Sequence, residues 1–157
     1  MSITDTDLED ARTAWGDGLV SIATAYDTEG IDAARSVAEQ VIDSAYDYDS
    51  GPVLFKPTMA SGEQTFRPSR AGALSYFVAH DAAYPLDGGF ALKSWRSVRS
   101  QTSASFIDGD VAMWMGWMFM TDIDGSVTTV DKSFGYRRDA QGMLRIVLHH
   151  SSLPYQP

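Results

Sequence analysis

No cysteine occurs among the 157 residues, which excludes a disulfide framework, a thiolate nucleophile and sulfur-ligated zinc. Histidine is scarce too. Only three are present, and two of them, His149 and His150, are neighbours that point to opposite sides of an extended chain, which disfavours a three-histidine metal site. Basic residues are outnumbered, 12 Lys and Arg against 21 Asp and Glu for a net charge of -9, so neither nucleic acid nor an anionic membrane is an expected partner. No apolar run approaches the roughly 18 residues that a membrane span requires. The stretch Met1–Asp10 is acidic and lacks the basic-then-apolar order of a secretory leader. These absences lead to the expectation of a soluble, cytoplasmic protein with a small-molecule ligand. The hydrophobic content of 44% is enough for one compact domain over residues 1–157.

What is present begins with helical periodicity. Leu8, Trp15, Leu19, Ile22 and Tyr26 fall on one face of a helix spanning about 6–26. Gly30 breaks the pattern, and Ala34, Val37, Ala38, Val41, Ile42 and Ala45 define a second helix. Val53–Phe55 reads as a short strand. Pro68 and Ser69 introduce a third helix through about Ala79, with Ser69 as its N-cap. Beyond the loop at 84–89 the pattern becomes strand-like. Segments near 92–107, 110–121, 126–138 and 143–152 are separated by Asp-Gly and Asp-to-Gly turns, which predicts a four-stranded antiparallel meander. The strand holding Val111 to Met120 is apolar on both faces. Helices can cover one face, so the other is expected to be buried by a second subunit in a homodimer formed through the sheet. Helices followed by a long curved meander make an α+β cone.

The chemistry-bearing segment lies near the C-terminus, where His-His-Ser-Ser follows the apolar Leu144–Leu148. Alternation along a strand puts His149 and Ser151 on one side and His150 and Ser152 on the other. Thr58 after Pro57, and Tyr76 on an Ala-rich helix, are further neutral donors and acceptors in apolar surroundings. Each also has an ordinary structural explanation: a loop threonine bonding backbone, a core tyrosine, a satisfied core histidine and serine. His80, at a helix end, reads as an exposed cap. Lys56, Arg67 and Arg70 read as surface partners for the excess carboxylates.

A string of motifs adds to this. Lys56-Pro-Thr58, Phe66-Arg-Pro68 with Gly72-Ala-Leu-Ser-Tyr-Phe-Val78, Lys132-Ser-Phe-Gly-Tyr136 and Arg145-Ile-Val-Leu-His-His-Ser-Ser-Leu-Pro-Tyr155 together resemble the iota class of carbonic anhydrases. The resemblance runs from about Trp15 to Tyr155, and His-His-Ser-Ser-Leu-Pro is its most specific part. Ser69, Ala71 and Ser133 depart from the expected pattern outside the pocket. The resemblance implies an NTF2-like (cystatin-like) fold, related in architecture to the association domain of calmodulin-dependent kinase II. It implies reversible hydration of carbon dioxide to bicarbonate without a metal or other cofactor, and a bicarbonate pocket made by Thr58, Tyr76, His149 and Ser151. Strand parity independently pairs the last two.

On this reading Tyr76 and Thr58 position the water, and His149, directly or through Ser151, helps its proton depart. A histidine near its reference pKa of ~6.5 would make hydration weaken as pH falls. Trp114, Met115, Trp117 and Phe134 are candidates for the apolar lining. Two other readings are weighed against this one. An isomerase or cyclase of the same fold would use a buried carboxylate, for which the strands offer mainly Asp131. A non-catalytic association or small-anion-binding module would assemble without turnover.

Overall fold

The computed structural model describes residues 1–157. Helix α1 (Asp5–Glu29) starts at Thr4, whose hydroxyl accepts the Asp7 N–H while the Asp7 carboxylate accepts the Thr4 N–H. This reciprocal cap satisfies two donors that a helix start otherwise leaves open. The helix outlasts its apolar stripe, running past Tyr26 to Gly30, where φ of 92° turns the chain into α2 (Ile31–Ala45). Helix α3 (Arg70–Val78) is capped as expected by the Ser69 hydroxyl, which accepts the Gly72 N–H.

The strands are β1 (Leu54–Lys56), β2 (Trp95–Asp108), β3 (Val111–Asp122), β4 (Val127–Arg138) and β5 (Leu144–Ser152). Strands β2 to β5 form the expected antiparallel meander. The sheet is nevertheless five-stranded, in the order β1-β5-β4-β3-β2, because β1 adds to β5 in parallel, with Phe55 opposite His149. A parallel partner so distant in sequence leaves no local turn signal, which is why the meander alone was expected.

Along β3, Ala112, Trp114, Met118 and Met120 are buried while Val111, Met113, Met115 and Trp117 are exposed. Of the four lining candidates, Trp114 and Phe134 therefore face the helices, whereas parity sends Met115 and Trp117 to the outer face. Gly116 sits where a Cβ would come 2.1 Å from the Gln101 carbonyl oxygen, beside a register shift between Thr102 and Ala104. The bend there lets β2 and β3 curl around the helices. Gly16 on α1 allows the helix to approach Val98 of β2, which a Cβ would meet at 2.9 Å. All three helices and all five strands feed one core of 27 buried residues. None of the helices is long and apolar enough to cross a membrane.

Candidate active site

Strand β5 carries the polar cluster, and a bulge sets its parity. Between the pairs Gly135–Leu148 and Tyr136–Ile146, Val147 has no partner, so Ile146 and His149 both face inward although three positions apart. From there alternation holds. His149 and Ser151 are buried, whereas His150 is exposed and Ser152 half-buried.

The cross-strand neighbours complete the site. Phe134 and Lys132 on β4 stand opposite His149 and Ser151, and Phe55 on β1 flanks His149 from the other side. The imidazole lies between Phe55 and Phe134, with centroids 4.6 Å away on each side, and Trp15 presents its edge at 5.6 Å. Such packing fixes the ring in one orientation.

Hydrogen bonds link the groups into a chain. Tyr76 Oη accepts the Met59 N–H at 3.2 Å, at the residue next to Thr58. Thr58 Oγ1 lies 2.6 Å from Ser151 Oγ. Lys132 Nζ lies 3.1 Å from Ser151 Oγ and 2.8 Å from His149 Nε2. His149 Nδ1 lies 2.8 Å from Tyr46 Oη, which accepts the Trp15 indole N–H at 2.9 Å. The structure thus brings together all four residues singled out from the sequence: Thr58 and Ser151 adjoin through their hydroxyls, the Tyr76 hydroxyl meets the backbone next to Thr58, and His149 joins them through Lys132.

Burial decides the charges. Desolvation, and then the proximity of Lys132 and His150, holds the His149 pKa well below the ordinary histidine range. The imidazole is neutral across the physiological range, so the expected titration of His149 near its reference value is corrected. Both ring nitrogens are also engaged away from Thr58. Burial likewise pushes the Tyr76 phenol up to about 12, although the Met59 N–H and Thr58 pull the other way. Tyr76 is therefore a neutral hydroxyl. Burial is the main force lowering Lys132 to about 7, with Lys56 adding to it and Asp131 opposing.

Lys132 is the group that sequence reasoning passed over, although it lay within a quoted motif. The available signal was parity: Lys132, Phe134 and Tyr136 alternate on one strand face, so a lysine in that register is an inward one. The three basic residues read as surface pairs divide. Arg70 does pair with Asp43 at the surface. Lys56 instead donates to the Ser151 carbonyl oxygen at 2.8 Å. Arg67 is buried, and its guanidinium makes a two-pronged contact with Asp87, both bonds 2.7 Å. Burial alone would raise the Asp87 carboxyl, but Arg67 and Ser75 outweigh it and hold it below the usual carboxylate range. This pair ties the loop before Phe90 to the start of α3, behind Tyr76. His80 is exposed, as expected, with Nδ1 on the Val78 carbonyl oxygen.

The cluster is nearly closed: Ser151 is 0% and His149 1% exposed. A cavity of about 210 Å³ opens beside Tyr76, bounded by Met59, Leu86, Phe90 and Lys93. The roomier cavity of about 360 Å³ between the α1–α2 pair and the β4–β5 hairpin touches none of the four site residues. No carboxylate bonds to the hydroxyl cluster, and nowhere do three His, Asp or Glu side chains gather in a way that could hold a metal ion. The arrangement is a row of neutral hydroxyls ending in a buried amine, suited to orienting water and binding a small oxyanion.

The family described as metal-independent carbonic anhydrase matches residues 6–153. A metal-independent carbonic anhydrase of Nostoc sp. (strain PCC 7120 / SAG 25.82 / UTEX 2576) is 52% identical over 155 residues, covering 99% of this chain and 76% of the relative. The crystal structure of an iota-carbonic anhydrase from a cyanobacterium, complexed with bicarbonate, superposes with a TM-score of 0.98 at 52% identity, over 99% of this chain and 95% of the other. An NTF2-like protein of unknown function from Pseudomonas putida shares the fold at a TM-score of 0.55 and 12% identity, over 97% and 87% of the two chains.

Proposed function

The chain belongs to the metal-independent carbonic anhydrases, NTF2-like in fold, and catalyses the reversible hydration of carbon dioxide to bicarbonate; on that premise we propose that Thr58, Tyr76 and Ser151 bind bicarbonate and activate water, with His149 positioning the site. The observation that carries the assignment is the contact of Thr58 with Ser151 at 2.6 Å, next to a protonated Tyr76 in a site otherwise walled by aromatic rings. Carbon dioxide is apolar and enters such a wall without losing strong hydration, whereas bicarbonate develops charge on its oxygens as the C–O bond forms. Hydroxyls of Thr58, Tyr76 and Ser151, already oriented and screened from bulk water, stabilise that charge as it appears. His149 serves by position: clamped between Phe55 and Phe134, it fixes Lys132, which in turn fixes Ser151.

The test is stopped-flow carbon dioxide hydration on protein exhaustively chelated and assayed for metal, beside Ser151→Ala. Hydration well above the buffer rate, lost in the variant, is the expected result. A variant with the full rate would remove Ser151 from the site, and activity appearing only with added metal would refute water activation by hydroxyls.

The same reading includes a homodimer formed through the sheet and a cytoplasmic location. The dimer is supported by the exposed outer row Val111, Met113, Met115 and Trp117 beside Phe106, an apolar patch that a second copy would cover. Fractionation of expressing cells checks the location.

A further inference from the structure

Hydration releases a proton, and the four proposed residues contain no group suited to keep it. Thr58, Ser151 and Tyr76 are hydroxyls, and His149 is enclosed and engaged at both nitrogens. Lys132 is the remaining candidate. It is 4% exposed and has no carboxylate in contact, its neighbours being Ser151 Oγ, His149 Nε2 and the face of Trp15, 4.6 Å from Nζ to the ring centroid.

Counting donors assigns its resting state. The Trp15 N–H donates to Tyr46 Oη, so the Tyr46 hydroxyl hydrogen goes to His149 Nδ1. The imidazole then carries its hydrogen on Nε2, pointing at Lys132 Nζ, which must offer a lone pair. Every polar atom from Trp15 to Lys132 is satisfied in this arrangement. With an ammonium instead, His149 must accept at Nε2 and donate from Nδ1. Tyr46 would then receive two hydrogen bonds and have no acceptor for its own hydrogen inside a closed core, which is costly.

We propose that Lys132 rests as a neutral amine and is the acceptor of the proton released in carbon dioxide hydration, reached through Thr58 and Ser151. This rests on the bicarbonate pocket described above. Rotation about the Cε–Nζ bond turns the lone pair from His149 to Ser151. As the water oxygen forms its bond to carbon, one water proton passes to Thr58 Oγ1, the Thr58 proton to Ser151 Oγ and the Ser151 proton to Nζ. The balance is carbon dioxide, water and an amine giving bicarbonate and an ammonium. The ammonium leaves the His149 Nε2–H without an acceptor, so it readily gives its proton back along the same hydroxyls once bicarbonate has left and water has entered. In the reverse reaction the ammonium is the proton donor.

The surroundings of Lys132 set the pH dependence. They comprise His149 and, on the outer face, His150 from β5, Lys56 from β1, Asp131 on its own strand, Trp15 from α1, and Tyr46 and Tyr76 beyond His149 and Thr58. Of these Asp131 and the face of Trp15 favour the charged form, against burial and Lys56. The neutral amine is needed for hydration, so hydration falls as pH drops through about 7, while dehydration of bicarbonate gains.

The experiment has two independent parts. The first follows the ¹⁵N resonance of the Lys132 Nζ in the native protein from roughly pH 5 to 9, assigned by its loss in Lys132→Met. A titration near 7 is expected, and an ammonium throughout overturns the proposal whatever the enzyme's rate. The second measures hydration against pH. Lys132→Met should lose about 10²–10⁴-fold and its midpoint near 7. Lys132→Cys, the sole thiol in the chain, is aminoethylated to restore the amine as a weaker base. It should recover activity with its midpoint displaced to lower pH. A wild-type midpoint surviving in Lys132→Met, or unmoved by the weaker amine, overturns the proposal. Loss of activity in Ser151→Ala with no such dependence on Lys132 would leave the pocket standing and the proton acceptor refuted.

Discussion

At the scale of single residues, the proposed site depends on neutral hydroxyls held where charge develops. Tyr76 illustrates the demand. Its ring packs against Phe90 with centroids 5.6 Å apart, so Tyr76→Phe keeps the packing and removes only the hydroxyl. Hydration by Tyr76→Phe is expected to fall about 10²–10³-fold, the usual cost of deleting one donor to a developing oxyanion, with an unchanged melting temperature within a few degrees. An unaffected rate would take Tyr76 out of the pocket. Residue-level reading of the sequence reached far here because alternation is a rigid rule: His149 and Ser151 follow from it directly. It marked Thr58 and Tyr76 as polar groups in apolar surroundings but joined them to the strand only through the resemblance, since a loop threonine and a helix tyrosine carry no periodic signal that points inward to a strand. Lys132 obeys the same alternation as His149, but a lysine is rarely buried, so its register alone is a weak signal for an inward group.

At the scale of elements, the α3 start and the loop preceding Phe90 hold Tyr76 in place. Arg67 bonds to Asp87, to the Gly72 carbonyl oxygen and to the Gln64 carbonyl oxygen, and Ser75 Oγ adds a further bond to Asp87. The pair is 3% and 5% exposed. Removing one partner strands the other charge in the interior, so Asp87→Ala should lose about 3–5 kcal/mol of stability, measured by urea unfolding. Loss of less than about 1 kcal/mol would show the loop to be held by other contacts. The elements themselves were legible as periodicity and turn chemistry, with β1 the exception. Three residues of strand can be seen in Val53–Phe55, but which edge they join is a tertiary choice, decided by the apolar contact of Phe55 with His149 and Phe77 rather than by any local pattern.

At the scale of the whole molecule, the sheet presents two unlike faces. One is sealed by the helices, and the other displays Met113, Met115 and Trp117 at 48%, 52% and 39% exposure. Placing charge there should leave the fold intact and prevent self-association. Met115→Glu with Trp117→Glu is expected to convert a dimer into a monomer by sedimentation velocity, with secondary structure by circular dichroism unchanged. A wild-type chain already monomeric at tens of micromolar would refute the dimer. The apolar composition of β3 announced that both faces needed cover, but composition does not say which side chains go where. That was settled by the register with β4, which turned Trp114 inward and Met115 outward.

The contact between Thr58 and Ser151 joins residues 93 positions apart, and β1 reaches β5 across the same span of chain. Closing so large a loop carries an entropic cost that only later contacts repay, so this pairing belongs among the slow events of folding. A chain that has built its helices and its local hairpins can have near-native secondary structure and still possess no pocket. Recovery of turnover after dilution from denaturant therefore times the last closure of the fold, and the enzyme reports its own completion.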